Sequence, residues 1–174
     1  MATRGIDFAN LSLKDALDLA ILIEDEAQER YEDLAAQMDQ HRTPEAAKFF
    51  RYMVENEAKH GRELTARRLQ LFGDAPRAVT PAMIFDIEAP DYDAARAFMT
   101  PRKAMEAALA SEVKAHTFFV AALPALKDLE VRALFEELRD EEIEHQHLVK
   151  IELAKLPPDS RLSDEDFVDE PAPQ

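Results

Sequence analysis

Stepped alternately by four and three residues, Leu13, Leu17, Ala20, Glu24, Ala27, Tyr31, Leu34 and Met38 form a nearly apolar stripe with one carboxylate in its middle. The same stepping picks out Ala46, Phe50, Met53, Glu57, His60 and Leu64, and then Met105, Ala108, Glu112, Ala115 and Phe119. A fourth stripe runs through Val131, Phe135, Leu138, Glu142, His145 and Val149. Such spacing keeps side chains on one face of an α-helix, the face that packs on partner helices. Four core-facing helices are therefore predicted, each with its seam interrupted by ionisable residues near the midpoint.

Local signals set the helix ends. Ser12 with Asp15 three residues on reads as an N-cap, and the first helix should run to about Asp39. Thr43-Pro44 reads as a cap and first helical position, and Gly73 as the stop of the second helix. Thr100-Pro101 repeats that start for a third helix ending near Ala122, where Leu123-Pro124 interrupts; Asp128 can cap a fourth reaching Leu156. Pro76, Pro81 and Pro90 deny a long helix to residues 74–100, although Asp91 to Met99 suits a short one. Short loops make two antiparallel hairpins, and the connection over about 74–100 can span the bundle as one long crossover. The prediction is all-α: a four-helix bundle over residues 1–156, followed by an acidic, proline-rich tail over 157–174.

Composition agrees with this organisation. Only 3 glycines occur in 174 residues, and there is no cysteine, which excludes disulfides, thiolate zinc sites, iron–sulfur clusters and a catalytic thiol. The formal net charge of −15 argues against nucleic acid and anionic membranes as partners and favours cations. No apolar run approaches the roughly 20 residues of a membrane span, so a soluble cytoplasmic protein is expected. Within the tail, Leu162, Phe167 and Val168 are candidates to dock on the bundle or on a neighbouring subunit.

The interrupted seams carry the chemistry. The two halves of the chain superpose, with Glu24 on Glu112 and Tyr31 on Phe119 at an offset of 88, and Glu57 on Glu142 and His60 on His145 at 85. Counted outward from each hairpin turn, all six ionisable residues fall at one level, within about one helical turn. The i,i+3 spacing of Glu57/His60 and Glu142/His145 puts a carboxylate and an imidazole on one helix face. One such pair is weak evidence, because glutamate-rich helices contain many. Four carboxylates in one core, however, would repel by about 4 kcal/mol per close pair at 4 Å and an effective dielectric near 20. Two divalent cations balance that charge. Carboxylate and imidazole without thiolate suit iron or manganese, and zinc can substitute.

In this pattern, one Glu from each of two helices and a Glu-x-x-His from each of the others, the chain resembles the ferritin-like di-iron superfamily. EDEAQERY (Glu24 to Tyr31), ENEAKH (Glu55 to His60) and EEIEHQHLVKIE (Glu141 to Glu152) make it most similar to a rubrerythrin-type domain, over roughly residues 10–156. The resemblance implies a ferritin-like fold and two iron ions, with Glu24 and Glu112 as terminal carboxylates, Glu57 and Glu142 as bridges, and His60 and His145 as terminal imidazoles. It also implies a supporting role for Tyr31 beside the ligands. Two features depart from the family. The absence of cysteine removes the rubredoxin iron centre, and Ala115 stands where a further glutamate is usual. His41, His116 and His147 lie off the metal-facing line.

The expected function is oxidation of two bound Fe(II) ions by O2 or H2O2, as in ferroxidases and peroxide-reducing relatives, with an external electron donor. The alternative is iron storage, buffering or delivery without catalysis. Rubrerythrin-like domains commonly pair, so a homodimer is expected.

Overall fold

In a computed structural model the chain is described over residues 6–83 and 100–157. The short helix expected over 91–99 and the docking expected of Leu162, Phe167 and Val168 lie outside the described residues. Four long helices carry the structure: α1 (Leu13–Gln40), α2 (Pro44–Phe72), α3 (Pro101–Ala122) and α4 (Leu129–Lys155). Among the described residues three short 3-10 turns accompany them, at Phe8–Asn10, Pro81–Met83 and Leu123–Ala125. No strand occurs among the described residues, and none of their helices is long and apolar enough to cross a membrane.

The helix starts follow the capping chemistry of their sequences. Ser12 accepts from the Asp15 amide, Thr100 from that of Lys103, and Asp128 from those of Glu130 and Val131. Each contact satisfies a first-turn N–H that has no partner inside its own helix. Thr43 departs from the expectation, because its side chain caps nothing in α2. Instead its hydroxyl and its amide both donate to the Met38 carbonyl, at 3.0 and 2.9 Å. Arg42 adopts a left-handed φ of 57°, which turns the chain back on α1 and directs Thr43 toward the end of that helix.

α1 packs chiefly on α2 and α3 chiefly on α4, as two antiparallel hairpins. Two apolar clusters form the core. One gathers Leu17, Leu19 and Ile23 with Phe118, Phe119, Leu134 and Phe135; the other gathers Tyr31, Met38, Phe50 and Met53 with Met105 and Val149. The first cluster therefore holds the start of α1, the end of α3 and the start of α4, so α2 and α3 run parallel.

Polar ties hold both open ends. Asp18, fully buried on α1, binds Arg68 of α2 through Nε and Nη2, with Lys14 and Arg77 also near. Arg68 continues to the carbonyls of Gly73 and Ala75 at 3.0 and 2.6 Å, which fastens the chain leaving α2. At the opposite end Arg102 of α3 donates to the carbonyls of Leu156 and Pro157 at 2.6 and 2.7 Å. These contacts fix the axial register of the paired helices, and with it the level at which the central side chains meet.

Candidate metal centre

Between the two apolar clusters lies a layer of charge. Glu24, Glu57, Glu112, Glu142 and His145 are all buried there, and His60 is partly buried. The sequence puts them there because each occupies a seam position whose neighbours one turn before and after are core residues. Burying the flanking apolar groups drags the polar one inside.

The six side chains converge on one site, with ligand atoms falling into groups whose members lie within 4.8 Å of one another. Glu112, Glu142 and His145 form one; Glu57 joins both imidazoles in another; Glu24 and His60 meet Glu141 in a third. His145 Nδ1 lies 3.2 Å from Glu57 Oε1 and 3.4 Å from Glu112 Oε2, while His60 Nδ1 lies 3.8 Å from Glu24 Oε2. The two imidazole rings stack, 5.4 Å apart and inclined by 9°. Both therefore present Nδ1 to the site. Glu57 lies within reach of both rings, and Glu142 groups with Glu112 and His145.

The ends of the site differ in their access to water. At the inner end the side chains of Glu112 and His145 are 4% and 6% exposed, whereas His60 at the outer end is 18% exposed. Protonation follows this asymmetry. Burial opposes charge on His145, but its hydrogen bond to Glu112 and the surrounding carboxylates raise its pKa above the ordinary 6.5. Burial likewise opposes charge on Glu112, yet His145, Glu142 and Tyr31 together hold its carboxyl below the usual 4.5. His60 moves the other way: burial and the neighbouring His145 lower it, leaving a neutral ring at neutral pH. Its buried Nδ1 has no hydrogen-bond partner among the described residues. An inward lone pair with no proton donor to meet it, inside a ring of carboxylates, fits a metal ion.

Tyr31, buried in α1, donates its hydroxyl to Glu112 Oε1 at 2.5 Å. Burial and the charges of Glu112 and Glu57 push its phenol well above the ordinary value of 10.0, so it remains a donor. Phe119, its counterpart in the second half, is a buried core aromatic with no such handle. The other histidines stay outside: His41 and His147 are exposed, His116 is half-buried, and none joins a candidate ligand group. Glu141 is the residue the seam pattern misses. It precedes Glu142, off the four-three stripe, yet its Oε2 lies 4.0 Å from His60 Nδ1.

This layer lies on four helices whose first pair has a family counterpart. Residues 15–85 match the rubrerythrin family model. That stretch contains all but the first two residues of the first hairpin, with Glu24, Glu57 and His60. A crystal structure of an uncharacterized conserved protein from Magnetospirillum magnetotacticum is similar over most of the chain, 27% identical, with a TM-score of 0.74 over 86% of this chain and 99% of that one. No curated protein matches the chain. The architecture is thus the all-α, ferritin-like bundle, with a rubrerythrin-like first half and carboxylate and imidazole groups able to bind metal.

Proposed function

We propose that the chain is a non-haem di-iron oxidoreductase that binds two Fe(II) ions in the central layer and oxidises them with O2 or H2O2. The observation that carries this reading is the buried convergence of four carboxylates and two Nδ1 atoms on one layer between the hairpins. Without cations, protonation of His145, favoured by the surrounding carboxylates, offsets part of the negative charge of the cluster. Two divalent ions supply the missing positive charge.

In this reading Glu24 and His60 hold one ion, Glu112 and His145 the other, and Glu57 and Glu142 lie between them. Two Fe(II) ions held there would supply the two electrons that, with two protons, reduce one H2O2 to two waters. The residues do the rest. His145 gives up its proton when its Nδ1 becomes a ligand, and the hydroxyl of Tyr31 fixes which Glu112 oxygen is left to bind. Phe50, Met53, Phe119 and Phe135, all buried, keep bulk water from the layer. Manganese and zinc suit the same donors, and an external donor must return the electrons for repeated turnover. Two chains pairing as a homodimer in the cytoplasm belongs to the same proposal.

Anaerobic titration with Fe(II), followed by rapid mixing with O2 or H2O2, tests it. Two Fe(II) per chain, oxidised faster than in buffer alone, is the expected result. Binding of fewer than two ions, or oxidation no faster than in buffer, overturns it.

A further inference from the structure

The outer end of the layer contains a donor that the six-residue pattern does not include. Glu24 and His60 are joined there by Glu141, all three ligand atoms lying within 4.8 Å of one another. Glu141 Oε2 stands 4.0 Å from His60 Nδ1, nearly the 3.8 Å that separates that nitrogen from Glu24 Oε2. Three helices thus aim one atom each at a single point: α1 through Glu24, α2 through His60 and α4 through Glu141. The inner end has a comparable trio in Glu112, Glu142 and His145.

Glu141 also lines a cavity of about 70 Å³ between α2 and α4, together with His60, Glu63, Arg67 and Glu137. A water molecule occupies roughly 30 Å³ of the liquid, so the cavity suits a small, partly hydrated ion. Its lining holds three carboxylates. Arg67 pairs with Glu137 at 3.4 Å, but both side chains are well exposed, and such a pair is weak enough to open. The Glu141 side chain, 31% exposed, is placed to touch both this cavity and the layer.

We propose that Glu141 is a third protein ligand of the ion held by Glu24 and His60, and that it takes this ion up from the cavity it lines. The assignment rests on the two-ion reading above. It makes the ends unequal: the inner ion is enclosed by buried donors, and the outer ion is held by one carboxylate in contact with water. The outer ion is accordingly the last to bind and the first to leave.

Calorimetric titration of the full chain with Co(II), which is stable to air on the timescale of binding, tests the assignment in wild type, Glu141→Gln and Glu141→Asp. Wild type is expected to take two ions. Glu141→Gln should keep one at wild-type affinity and bind the second at least about tenfold more weakly. Glu141→Asp, which keeps the charge, should weaken the second ion less, and it serves in place of the Gln variant if that chain does not fold. Anomalous diffraction from Co(II)-loaded Glu141→Gln should show the metal retained beside His145 and depleted beside His60. Equal affinity for both ions in wild type and both variants overturns the role of Glu141 and leaves the two-ion reading standing. A wild-type chain that takes fewer than two ions overturns both.

Discussion

The Tyr31 hydroxyl of α1 reaches across the bundle to Glu112 of α3, joining the two hairpins by a 2.5 Å hydrogen bond inside the candidate metal layer. Tyr31→Phe removes that donor while keeping the ring that packs on Phe50. A hydrogen bond to a charged group contributes about 1.5–3 kcal/mol. The apo variant should therefore melt several degrees lower, at about 2–4 °C per kcal/mol for a chain of this size. Affinity for the ion at the Glu112 end should fall about 10–100-fold, measured by metal titration.

A rise in pH through neutrality should act oppositely on the apo and the loaded protein. His145 has a raised folded pKa, so its contribution is fully present below 6.5 and is lost as pH rises through the folded value. Glu112 has a lowered one, so its contribution is present above 4.5 and is lost as pH falls through the folded value. This pair makes the apo protein most stable between about pH 4.5 and 6.5. Metal binding requires the His145 proton to leave, so the stabilisation by Co(II) should grow as pH rises past the same point. Melting curves from pH 4 to 9, with and without Co(II), should diverge upward through neutrality.

Arg68→Met should be the most destabilising of these changes. It leaves Asp18, fully buried, with only Lys14 at 3.4 Å and Arg77 at 3.6 Å, and frees the carbonyls of Gly73 and Ala75. Breaking a buried ion pair from one side costs about 3–5 kcal/mol, and the remaining cations put this case near the lower value. Urea denaturation should show a lower midpoint with an unchanged slope.

Gly61→Ala should stabilise the bundle. A methyl at Gly61 would meet Glu24 Cβ at 3.7 Å and Asp25 Oδ1 at 3.8 Å, both ordinary contacts. The gain from replacing a mid-helix glycine is about 0.5–1 kcal/mol, read as a small rise in melting temperature. Because the new methyl faces the stem of Glu24 and not its carboxylate, two-ion stoichiometry should be unchanged.

Much of this architecture is legible in the chain because its signals are local and repeated. Ser12, Thr100 and Asp128 cap where their sequence places them, and every interruption of a seam falls in the central layer. Thr43 misleads because the left-handed Arg42 turns its hydroxyl toward the helix just ended. Glu141 escapes the pattern for a different reason. Its position on α4 lies beside the seam, and only the length of a glutamate side chain together with the approach of α2 brings it to His60. The Asp18–Arg68 pair is also hidden in the sequence, since nothing in either helix alone shows that an aspartate near the start of α1 meets an arginine near the end of α2.

The two apolar clusters stand on either side of the charged layer, so the bundle has two oily ends and a middle held by a few polar contacts among groups of mostly like charge. Its ends can stay closed while its waist breathes. Amide protons of residues 24–28 and 57–61 should then exchange sooner than those near Leu17 or Met53, and metal loading should slow them selectively. Viewed this way, bound ions would act as a removable clasp that reinforces the few polar contacts by which the chain itself joins the two halves of its core.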